Sequence, residues 1–94
     1  MKNEDLKNFI GTISNKYGLK KVIMFGSRAN DTYRDDSDID LLVEYNTPMV
    51  SIFTTVGLMQ EIEERFNLPV DIVRYPIPKR GIDLRIEKTV PIYG

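Results

Sequence analysis

The sequence predicts a small α/β domain, and three observations predict it. Apolar residues recur at helical spacing between residues 4 and 17 and again between 48 and 66. Short apolar runs of strand length fall at 21–25, 38–45 and 70–75. The second helical stretch lies between the second and third runs, the order of a strand, a helix crossing back and a parallel strand. At 94 residues, the chain has room for one hydrophobic core, so residues 1–94 are expected to form a single domain.

In the first helix Leu6, Phe9, Ile10, Ile13 and Tyr17 share one face. Asn3 is the expected cap, Glu4 and Asp5 suit the positive end of the helix dipole, and Gly18 suits the stop. Gly11, inside the helix, weakens it by about 1 kcal/mol relative to alanine, so the helix leans on packing. Lys21 to Phe25 follows as a strand without polar alternation, with Met24 and Phe25 in the core.

A polar loop, Gly26 to Ser37, then leads into a strand that opens with Asp38 and Asp40. Aspartate is depleted in strands, so two of them at one strand start call for a chemical reason. Side chains at i and i+2 share a face and root roughly 6.5–7 Å apart, so the two carboxylates converge and repel unless a cation lies between them. Magnesium takes oxygen ligands and shares its shell with phosphate oxygens. Gly26 and Ser27 fit the same chemistry, since glycine lets backbone approach a ligand and a serine hydroxyl beside free amides holds phosphate.

Thr47 as cap with Pro48 at the first helical position is the expected start of the second helix, which runs to about Phe66. Ile52, Val56, Met59, Ile62 and Phe66 form its expected core face, widened by Phe53 and Leu58, with Met49 and Met59 as core filler and a partner contact as the alternative for Met49, near the helix start. Asn67-Leu68-Pro69 ends it, and Val70 to Tyr75 makes the third strand, which brings Asp71 beside the carboxylate pair. Pro76-Ile77-Pro78 is a rigid turn beside Lys79 and Arg80, a basic pair read as solvated; 82–88 is a short helix, and Val90 to Tyr93 an edge strand at best because of Pro91.

Composition narrows the chemistry further. There is no cysteine and no histidine, which excludes disulfides, thiol nucleophiles, zinc sites of those ligands and a Ser-His-Asp triad. With 13 Lys and Arg against 14 Asp and Glu, there is no excess of positive charge to hold a nucleic-acid duplex. No signal peptide and no membrane-spanning run is visible, so a soluble cytoplasmic protein is expected.

Taken together, Gly26, Ser27, Ala29, Ser37, Asp38, Ile39, Asp40 and Leu41, with Asp71 as a distant third carboxylate, resemble the nucleotidyltransferase superfamily that includes DNA polymerase beta. The likeness is to its minimal single-domain prokaryotic branch. One departure is Asp31, which stands where that pattern has a second glycine and puts a negative charge near a triphosphate.

The resemblance implies a mixed sheet in the order 1-2-3 with helices on one face and carboxylates on the other. It implies transfer of a nucleoside monophosphate, AMP from ATP by family habit, to a hydroxyl. Asp38 and Asp40 are then ligands to two Mg2+ ions, and Asp71 completes the shell on the acceptor side and takes the acceptor proton. Gly26 and Ser27 hold the β and γ phosphates, with Arg28 adding charge to that contact or standing solvated beside the loop. The implied partner is a HEPN-domain toxin, modified on a tyrosine, for which this chain is the antitoxin. The alternatives are an antitoxin that neutralises by binding alone, and transfer to a small molecule. The oligomeric state is left open.

Overall fold

The computed structural model describes residues 1–29, 34–75 and 88–94. Its elements are α1 (Asn3–Tyr17), β1 (Leu19–Phe25), β2 (Ile39–Tyr45), α2 (Ile52–Phe66), β3 (Val70–Arg74) and β4 (Val90–Tyr93). The strands form one mixed sheet in the order β3-β2-β1-β4. β1 runs antiparallel to β2 and to β4, while β2 and β3 run parallel. The expected 1-2-3 order is therefore present, with the proline-bearing C-terminal strand added as an edge beside β1. The turn at 76–78, the pair Lys79 and Arg80, and the helix expected at 82–88, apart from Lys88, lie outside the described residues.

Alternation along β2 decides which face is which. Ile39, Leu41, Val43 and Tyr45 are buried, whereas Asp40, Leu42 and Glu44 are half-buried. The buried set joins Leu6, Ile10 and Ile13 of α1 and Leu58 and Ile62 of α2 in one core, so both helices pack on this face. Met24 and Phe25 are buried too, as expected. Phe9 and Phe66 meet edge to face across the helix pair, their ring centroids 5.7 Å apart.

Two caps differ from the sequence reading, while Gly18 stops α1 as expected. Lys2, not Asn3, is the N-cap of α1, in extended backbone with no side-chain cap bond, and the acidic Glu4 and Asp5 alone serve the amide end. Gly18 closes α1 in the left-handed conformation, at φ 66°. The second helix starts at Ile52, with Ser51 rather than Thr47 as its cap, because the Ser51 hydroxyl accepts from the Phe53 amide at 3.2 Å. Asn46 is held at the sheet end by Gly18, N–H to carbonyl at 2.8 Å, so the chain must climb to the helix layer before it winds.

The core face of α2 also differs. Thr55, Leu58 and Ile62 are the buried residues, and the Tyr45 and Thr55 hydroxyls share a 2.7 Å hydrogen bond on that face. Ile52 is 68% exposed, Phe53 82%, Val56 40% and Met49 90%, so the N-terminal half of the expected core stripe, and Met49 with it, faces outward. Met59 does pack against the core. No described helix is long and apolar enough to cross a membrane.

The two helices are also joined by polar contacts. The Tyr17 hydroxyl donates to Glu61 Oε2, and Lys16 Nζ approaches the same oxygen at 3.1 Å. Burial first, then the hydrogen bond and negative charge of Glu61, push the Tyr17 phenol up to about 12. The bonds from Tyr17 and Lys16 hold Glu61 below its usual value of 4.5.

Two stability outcomes follow from this packing. Leu58→Ala is expected to cost about 2–5 kcal/mol by urea unfolding, as for any fully buried leucine, whereas Phe53→Ala should stay within about 0.5 kcal/mol. Tyr17→Phe should lower the melting temperature at pH 7. A carboxylate with a lowered folded pKa stabilises above its unfolded value of 4.5 and loses that contribution as pH falls. A phenol with a raised one stabilises below 10 and loses its contribution as pH climbs towards 12. The gap between wild type and Tyr17→Phe should thus narrow at both ends, as thermal melts across pH would register.

Candidate active site

The candidate site forms at the end of the sheet where β1 finishes and β2 and β3 begin. In the parallel register Asp40 lies opposite Asp71, and in the antiparallel one it lies opposite Phe25, the residue before Gly26. Asp40 is thus flanked by a carboxylate on one strand and by the start of the Gly26 loop on the other. Asp38 is exposed and stands one residue before β2, not inside it, because the ladder to the β3 strand is opened by the Ile39 amide, which donates to the Pro69 carbonyl at 2.9 Å.

Electrostatics records the crowding. Burial raises the Asp40 carboxyl above its usual 3.8, and the negative charges of Asp71 and then Asp38 raise it further. The charges of Asp71 and Asp38 thus both act on Asp40 across the strand ends. Asp40 is the member shared by both neighbours.

Gly26 has a second reason to be glycine. Its φ is 76°, and a Cβ placed on it would overlap Asp40 Oδ2. The loop backbone consequently lies against the Asp40 carboxylate. From Gly26 the chain makes a tight turn, closed by the Ala29 amide on the Gly26 carbonyl at 3.1 Å, with Ser27 half-buried within it. Asp31 lies outside the described residues.

Arg28 does not stand solvated beside the loop. It is 3% exposed, and its guanidinium donates from Nε to the Ser37 carbonyl at 3.0 Å and from Nη2 to the Asp35 carbonyl at 3.2 Å. Sequence reasoning ranked it by its charge and missed this internal use. The available signal was a long polar loop that needs an anchor of its own.

The donor set is all oxygen, and the crowding at Asp40 is what a hard divalent cation relieves, so these residues fit magnesium chemistry. Among the described residues no three carboxylates close around a single point. On the same sheet face, a cleft of about 140 Å³ is lined by Lys21, Ile23, Leu42, Glu44 and Tyr75. Ligand pockets run to roughly 300–1,000 Å³, so this cleft is too small to enclose a nucleotide.

A sequence profile of the polymerase beta nucleotidyltransferase family matches residues 7–93. The chain belongs to that family. Among curated relatives of this nucleotidyltransferase chain, one from Methanocaldococcus jannaschii that is named as a protein adenylyltransferase is 36% identical over 75 residues, 80% of each chain. The protein adenylyltransferase MntA of Thermococcus cleftensis is 30% identical over 67 residues, covering 71% of this chain and 67% of that one. A structure described as a minimal nucleotidyltransferase superposes with a TM-score of 0.73 at 26% identity, covering 97% of this chain and 96% of the other. The same fold occurs in a toxin-antitoxin complex with AMP-PNP (TM-score 0.70, 20% identity, 94% of this chain and 73% of that one). It occurs again in a complex of tri-AMPylated Shewanella oneidensis HEPN toxin with MNT antitoxin (TM-score 0.65, 17% identity, 99% and 73%).

The close approach of Gly26 to Asp40 has a measurable consequence. Gly26→Ala is expected to lose about 1–3 kcal/mol from the left-handed backbone, and more from the overlap with Asp40. Gly18→Ala is the control, since φ there is 66° but nothing lies within 4 Å of the added Cβ. Denaturant unfolding should rank Gly26→Ala as the more damaging of the two.

Proposed function

We propose that this chain transfers AMP from ATP to a hydroxyl of a protein partner, a tyrosine of a HEPN-type toxin, and so acts as its antitoxin. The observation that carries the reading is the register that sets Asp71 beside Asp40, with Gly26 against the same carboxylate. Membership of the nucleotidyltransferase family and similarity to adenylyltransferases support it. The toxin-antitoxin complexes of the same fold suggest the partner.

In this reading Gly26 and Ser27 receive the β and γ phosphates, with the glycine allowing backbone to approach and the serine hydroxyl donating. Asp38, Asp40 and Asp71 would hold divalent ions, Mg2+ by the hardness of their donors. When bound, the ions supply charge that offsets the attacking and leaving oxygens. The acceptor oxygen bonds to the α-phosphorus, the bond from that phosphorus to the β-phosphate oxygen breaks, and pyrophosphate leaves. The proton released from the hydroxyl goes to Asp71, a carboxylate in a chain that contains no histidine. The work is done in the cytoplasm, where ATP is.

The test is intact-mass spectrometry of a HEPN-domain partner after incubation with the protein, magnesium and ATP. The expected result is a mass increment of one or more AMP with wild type and none with Asp38→Asn, Asp40→Asn or Asp71→Asn. All three variants should stay folded, since each removes a repelling charge from a strand end. A partner of unchanged mass that is inhibited equally by wild type and variants would replace the enzyme with an antitoxin that works by binding alone.

A further inference from the structure

Arg28 occupies the variable position of the Gly-Ser-x-Ala pattern, and nothing in the proposed chemistry uses it. Yet it is almost fully buried, at 3% exposure, which is rare for arginine unless its donors are engaged. Two of them reach across the loop to the carbonyls of Asp35 and Ser37. Those carbonyls belong to a segment that is already compact, because the Ser37 amide donates to the Arg34 carbonyl at 3.0 Å and the Arg34 amide to the Ser37 hydroxyl at 2.7 Å. Arg28 thus grips a preformed turn rather than a loose strand of chain.

The next residue is Asp38, and the one after it, Ile39, is bonded through its amide to Pro69, two residues before Asp71. Asp38 is therefore held on both sides, through Ser37 to Arg28 and through Ile39 to the β3 strand. On its own side Arg28 sits inside the Gly26–Ala29 turn, whose Ala29 is 1% exposed. We infer that Arg28 is a positioning residue that locks the Gly26-Ser27 turn to the Asp38-Asp40 strand start, setting the phosphate-binding and carboxylate halves of the site in one geometry before substrate arrives.

This inference rests on the nucleotidyltransferase reading above. A planar guanidinium can serve two carbonyls at fixed separation, while a lysine ammonium keeps the charge and loses the fork. Arg28→Lys consequently separates position from charge. The expected result is a fall in the AMP-transfer rate of about tenfold or more, with the KM for ATP changed by less than about threefold. It should be partly restored in Arg28→Ala by added guanidinium ion, as for a geometric part put back. Amide hydrogen exchange gives a readout independent of activity: the Ala29, Ser37 and Ile39 amides should exchange about tenfold faster or more in Arg28→Lys, while those of the α1 and α2 interiors stay unchanged.

Transfer by Arg28→Lys at the wild-type rate, or exchange at those three amides unaltered, overturns the inference. So does a loss confined to the KM for ATP, which would make Arg28 a phosphate contact. If wild type itself transfers no AMP, the nucleotidyltransferase reading fails instead, and the exchange measurement still decides whether Arg28 locks the loop.

Discussion

Carboxylates brought together at one end of one sheet repel, and the fold has to hold them there against that repulsion. The repulsion is visible at Asp40, which burial, Asp71 and Asp38 together make reluctant to ionise. Nothing local compels the arrangement. It is enforced by the β2–β3 register, which is fixed in turn by the hydrophobic alternation of β2, since a one-residue slip would turn Ile39, Leu41, Val43 and Tyr45 out of the core. The apolar face of the sheet thus supplies the force that keeps the charged end assembled.

Each element beyond the sheet contributes to the same end. α2 returns the chain from the far end of β2 to the start of β3, and Asn67, in the left-handed conformation at φ 55°, closes it by donating to the Glu63 carbonyl at 2.7 Å. The Glu63 side chain then accepts from the Val70 amide at 3.1 Å, so the helix end and the strand start are tied one residue from Asp71. The Pro69 carbonyl and the Arg28 guanidinium carry the restraint to the residues on either side of Asp38. Stability stored in the core is thereby transmitted to the carboxylates through a short series of hydrogen bonds, each with a backbone group on at least one side.

The outward turn of Met49, Ile52, Phe53 and Val56 belongs to the same account. α2 can bury only one face, and it buries that of Thr55, Leu58 and Ile62, with Leu58 and Ile62 in the core and Thr55 hydrogen-bonded to Tyr45. The other apolar stripe is left to solvent. Met49, Ile52 and Phe53 contribute little to the fold of a single chain, because most of their surface is never removed from water.

The sequence by itself determined the order of elements, the strand-loop-strand unit with its carboxylates, the left-handed stop at Gly18 and the core placement of Met24 and Phe25, because these follow from short-range periodicity and turn chemistry. It also singled out Gly26, Asp40 and Asp71, which the fold brings to one end of the sheet. Three matters were decided only by the tertiary structure. Residues 48–66 carry two overlapping apolar stripes, and spacing alone does not rank them; packing of Leu58 and Ile62 against the sheet does. The cap of α2 depends on where the chain reaches the helix layer, so Ser51 serves and the Thr47-Pro48 pair does not. Arg28 reads in sequence as a charge beside a phosphate loop, and its hold on backbone carbonyls seven and nine residues away was not legible, because a carbonyl leaves no mark in the identity of the residue that carries it.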